Sequence, residues 1–135
     1  MKPVHIIALT AAFALAPTAL TTQQPQPDPR AAALKSALRN LVVAQERYFV
    51  DHGSYTTDVA ALGVFRRETP RDSIWVQVIN AGGRSWSGRA IHIAARDKSC
   101  VIYVGLKTDL PSPPVTEADS VRATDEGAPV CDRLI

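Results

Sequence analysis

Cysteine, serine, histidine and carboxylate side chains are the groups in this chain that could do chemistry, and their spacing argues against most of it. There are two cysteines, Cys100 and Cys131, and three histidines. Metal binding or thiol redox chemistry wants a Cys-x-x-Cys pair or further His and Cys ligands close by, and neither surrounds these two. Gly83-Arg84-Ser85-Trp86-Ser87 approaches a Gly-x-Ser-x-Gly nucleophile elbow, but it lacks the second glycine and leads into a strand where the elbow needs a helix. The expectation there is a hairpin turn with solvent-facing serines. His52, between Asp51 and Gly53, falls in the last turn of a helix, where the negative end of the dipole favours an imidazole without any metal. His92 stands alone on a strand as a packed or surface residue. No catalytic residue, metal ligand or cofactor is assigned, and the chain reads as a non-enzyme.

The compartment decides how the two thiols are used. Residues 1–22 read as a secretory signal: Lys2 supplies the positive start and Ile6 to Leu20 an apolar stretch broken at Pro17. It is short and interrupted for a membrane span. Ala14-Leu15-Ala16 has the small-x-small cleavage pattern but precedes Pro17, so retention as an uncleaved anchor is the alternative fate. No cysteine lies near the leader, which excludes a lipoprotein anchor. In an exported small domain two thiols pair, and closing Cys100 to Cys131 would stabilise the fold by roughly 3 to 4 kcal/mol in the chain-entropy model. Fifteen basic and thirteen acidic residues leave a formal charge of +2, which points to neither nucleic acid nor a polybasic membrane surface.

These residues need a scaffold, and the pattern supplies one domain: 1–22 signal, 23–29 Pro-rich spacer, 30–135 globular. Asp28 reads as an N-cap with Pro29 at the first helical position and Ala31-Ala32-Ala33 behind it. Leu34, Leu38, Leu41, Gln45 and Tyr48 then recur at three- and four-residue steps, predicting one amphipathic helix that stops at Gly53. A loop leads into a single helical turn after Thr57 or Asp58, and a charged loop carries Arg66, Arg67 and Arg71 as a solvated basic patch. Ile74 to Asn80, Ser85 to Ala95 and Cys100 to Gly105 alternate as three strands, with turns at 81–84 and 96–99. Beyond Leu106, prolines and acidic residues resist regular structure, so the disulfide should pin an irregular tail to the third strand. Tyr48, Phe49, Tyr55, Trp75 and Trp86 are expected in the core and on the sheet face.

The words Leu38-Arg39-Asn40-Leu41, Ala44-Gln45-Glu46, Tyr48-Phe49, Asp51-His52-Gly53-Ser54-Tyr55-Thr56 and Leu62-Gly63, with Trp86-Ser87-Gly88, Cys100 to Gly105 and Pro129-Val130-Cys131, resemble a type IV pilin or type II secretion pseudopilin head. That resemblance spans about residues 33 to 131. It implies an α+β fold: a long N-terminal helix packed on a three- to four-stranded antiparallel sheet, with one disulfide. It further implies a non-catalytic structural or interaction protein of the bacterial envelope, periplasmic or extracellular, whose partners are envelope or secretion-machinery proteins. A Pro-rich spacer stands where a pilin carries its processing site and unbroken apolar helix. A filament subunit, pseudopilin or minor pilin, is therefore the alternative, and a small periplasmic ligand-binding protein or enzyme the third reading. Some pseudopilins hold calcium in a late loop; Asp109, Glu117, Asp119, Asp125 and Glu126 match no such loop and read as a solvated acidic tail.

Overall fold

A carboxylate, a proline and a glycine set the bounds of the helix in this computed structural model, which describes Gln26, residues 28–63 and residues 74–133. The signal, most of the spacer and the patch at Arg66, Arg67 and Arg71 lie outside the described residues. Helix α1 (Pro29–His52) starts where Asp28 accepts the Arg30 backbone N–H at 2.8 Å and its guanidinium at 3.1 Å. Those hydrogen bonds from Arg30, side chain first, hold the Asp28 carboxyl below its ordinary value. The helix ends at Gly53, whose φ of 71° is left-handed and whose N–H donates to the Phe49 carbonyl at 2.7 Å. Leu34, Leu38, Leu41 and Gln45 are fully buried along one stripe, and Tyr48 continues it half-buried.

That stripe is covered by an antiparallel sheet of order β1-β2-β3-β4, formed by β1 (Ile74–Ala81), β2 (Trp86–His92), β3 (Ala95–Val104) and β4 (Val130–Cys131). One helix packed on a four-stranded antiparallel sheet, an α+β arrangement, matches the expectation. Val76 opposes Ala90 and Val78 opposes Gly88, so alternate residues send Val76, Val78, Trp86, Ala90, Cys100 and Ile102 towards α1. The helix seats at Gly88: a Cβ there would lie 2.8 Å from the Leu41 side chain and 3.0 Å from the Trp86 ring.

Three local expectations are corrected. The second strand ends at His92 instead of Ala95, and the third begins at Ala95, so the turn falls at Ile93-Ala94 and not at 96–99. The charged run Arg96-Asp97-Lys98 lies within β3 as a bulge, where the register shifts from Ile91 opposite Ser99 to His92 opposite Ala95. The tight turn is steadied by the Ala94 N–H donating to His92 Nδ1 at 3.1 Å. Ser85 and Ser87 are buried, not solvent-facing: Ser87 lies on β2, an inner strand of the sheet, and Ser85, just before it, is covered at Leu106, whose N–H it accepts. Trp75 is exposed rather than core, since it points away from α1 beyond the reach of the tail.

Candidate interaction site

The face of the sheet opposite α1 carries Ser87, Ser99, Val101 and Tyr103, and the irregular tail folds over it. Leu110, Ala123 and Val130 bury Val101 and Tyr103 in a second, smaller core. Backbone groups fix the cover. The Tyr103 hydroxyl donates to the Thr124 carbonyl at 3.0 Å, the Gly127 N–H to the Tyr103 carbonyl at 2.8 Å, and the Gly105 N–H to Glu126 Oε1 at 2.7 Å. Arg89 on β2 pairs with Glu117 in the tail. The tail therefore forms a built layer whose regular structure is limited to a 3-10 turn at Lys107–Asp109, a bridge between Val115 and Arg122 and the short β4, the rest of its polar backbone being satisfied one group at a time.

Two devices clamp that layer to β3. Cys100 and Cys131 stand directly opposite each other in the β3–β4 register, Cα atoms 4.0 Å apart, joined by the expected disulfide. Next to it, Asp132 is only 3 % exposed. Its carboxylate accepts the backbone N–H groups of Ser99 at 2.8 Å, Asp119 at 2.7 Å and Ala118 at 3.1 Å. The Ser99 hydroxyl in turn accepts the Glu117 N–H at 2.9 Å. Burial alone would push the Asp132 carboxyl up, but the Thr116 hydroxyl and the three backbone donors outweigh it and hold the group below its ordinary value.

On the helix side of the molecule Gln45 does similar work. Its amide donates to the Thr56 carbonyl at 2.7 Å and accepts the Thr56 N–H at 3.1 Å, holding the loop after α1 against the core. Asp58 then caps the 3-10 turn Val59–Leu62 through the Ala60 N–H. Tyr55 lies between Phe49 and Trp86 and donates to Glu46 at 2.9 Å; burial first and that carboxylate second push its hydroxyl up to about 12.

The residues singled out for chemistry are not brought together. Ser85 Oγ accepts the Leu106 N–H at 3.0 Å and reaches Asp109 only at 3.5 Å, while Asn80 lies 3.5 Å from Ser87 Oγ. His52 stacks on Tyr48 and contacts its carbonyl at 2.9 Å. Among the acidic tail residues, Glu117, Asp119 and Glu126 are engaged with Arg89, the Arg133 N–H and the Gly105 N–H respectively. No group of three or more metal-ligating side chains occurs among the described residues. Sequence reasoning missed Asp132 and Ser99; the one available signal was an aspartate placed directly after the cysteine that anchors the tail.

What the arrangement offers is surface. The tail presents exposed polar loops around Glu117 to Ser120 and Thr124 to Gly127, with Ser120 at a positive φ of 53° at one loop tip. Compared with protein-family models, curated proteins and solved structures, the chain matches none.

Proposed function

We propose that this chain is an exported, non-catalytic, pilin-like structural or interaction protein of the bacterial envelope, which meets its protein partners through the tail loops. The observation that carries the reading is the double clamp at Cys100–Cys131 and Asp132, which ties a polar, irregular segment to the sheet face opposite α1. A fixed loop surface costs little ordering entropy when it binds a partner. A disulfide that persists also suits an oxidising compartment. Long helix, meander and disulfide-tied last segment are the elements that the pilin resemblance calls for, and residues Leu34, Leu38, Leu41, Gln45 and Tyr48 are the helix face that such a head buries.

Fractionation tests it. Expression in a bacterium with the leader intact should deliver a discrete domain outside the cytoplasm that does not polymerise. A membrane-bound, sedimenting polymer that retains Ile6 to Leu20 would replace the reading with a filament subunit. A chain confined to the cytosol would end both.

A further inference from the structure

Trp75 and Ile93 are 57 % and 51 % exposed, whereas the other tryptophan, Trp86, is fully buried. Trp75 lies near the start of β1, its cross-strand neighbour is Ile91, and Ile93 sits in the turn between β2 and β3. With Ile74 and Arg96 they line an open apolar groove of about 440 Å³. The tail's buried contacts are at Val101 and Tyr103, so its cover stops short of β1.

The direction of α1 places this groove at the end where the chain enters the domain. Just past the helix, the Tyr55 N–H donates to the Gly82 carbonyl at 3.2 Å, beside the end of β1. Leu41, midway along α1, packs on Gly88, midway along β2. The start of α1 therefore lies toward Ile74 and His92, which pair with each other across β1 and β2. Seven residues, 21–27, separate Leu20 from Asp28 and can span at most ~25 Å. During export, when Ile6 to Leu20 reads as crossing the membrane, this end of the domain is the end nearest the bilayer.

We propose that the Trp75–Ile91–Ile93 groove is a membrane-interface contact, in which the indole and isoleucine side chains enter the headgroup region and Arg96 meets lipid phosphate. Tryptophan's apolar ring with one polar edge suits that layer, and an arginine can bury its stem while its head stays wet. No helix among the described residues is long and apolar enough to cross a membrane, so the contact lies on the bilayer. Attachment is apolar in origin and should survive salt that screens surface charge. The inference rests on the export reading of Ile6 to Leu20 and is independent of the pilin-like layout.

Tryptophan emission of the exported chain after loss of its leader, with vesicles of phosphatidylethanolamine and phosphatidylglycerol, tests this, with buried Trp86 as the internal constant. Emission should shift to the blue and be quenched by headgroup-labelled lipid, at low and high salt alike, and Ile93→Asp, which keeps Trp75 as the reporter, should lose both effects. A blue shift that grows with protein concentration in the absence of lipid would make a second copy of the chain the occupant. Trp75 emission unchanged by vesicles would leave the groove in water. Either result overturns the proposal, whereas failure of the export reading shows separately, in the location and mass of the chain in cells.

Discussion

Asp132 is a charged side chain almost without solvent, tolerated because three backbone N–H groups and a hydroxyl surround its oxygens. Its lowered pKa makes it a source of pH-dependent stability. The contribution is fully present above the unfolded value near 3.9 and is lost as pH falls through the lower folded value. Asp132→Asn should cost about 1–3 kcal/mol in denaturant unfolding near neutral pH, because an amide nitrogen faces donors that need an acceptor. The variant should also show a shallower loss of stability on acidification than the parent protein. Gln45→Leu makes a second residue-scale test. It leaves both backbone groups of Thr56 without their partner and should cost about 1–3 kcal/mol. The apolar stripe of α1 was legible because Leu34, Leu38 and Leu41 repeat at helical steps. Gln45 falls in that stripe too, but its partner Thr56 is eleven residues away in a loop, and no periodicity encodes such a pair.

At the scale of elements, α1 rests on the absence of a side chain at Gly88. Gly88→Val should push Leu41 and the Trp86 ring aside, destabilising the domain by about 1–3 kcal/mol, with loss of near-ultraviolet tryptophan signal as the structural readout. Both helix ends could be read because Asp28-Pro29 and Gly53 act through local rules, a cap and a left-handed stop. The β2–β3 turn could not. Arg96-Asp97-Lys98 has turn-like composition, but the register of β3 against β2 is set by Val101, Cys100 and Ile102 meeting Arg89, Ala90 and Gly88. That pairing stays regular only to Ile91 opposite Ser99; the register then shifts so that His92 meets Ala95, Arg96-Asp97-Lys98 bulge out of the ladder and Ile93-Ala94 makes the turn. Likewise Ser85 and Ser87 are buried by neighbours distant in sequence, namely Leu106 and Tyr103.

For the whole molecule, a helix covers one face of the sheet and a disulfide-clamped tail covers the other. Reduction of Cys100–Cys131, 31 residues apart in sequence, should lower stability by roughly 3 to 4 kcal/mol in the chain-entropy model. Because Asp132 stands beside Cys131, loosening should begin in residues 105–131, and amide exchange there should accelerate before exchange in α1. The pairing was foreseeable from two cysteines in a chain whose first residues read as an export signal. The hydrogen bonds that mould the tail were not, because they run from backbone groups to side chains scattered over β3 and the chain end. The measurement closest to the central claim is the intact mass and thiol state of the protein recovered from outside the cytoplasm. The account predicts a chain shortened by roughly 16 to 22 residues, the span of an export leader, with neither cysteine open to labelling. A full-length chain in the cytosol with Cys100 and Cys131 both free would contradict it.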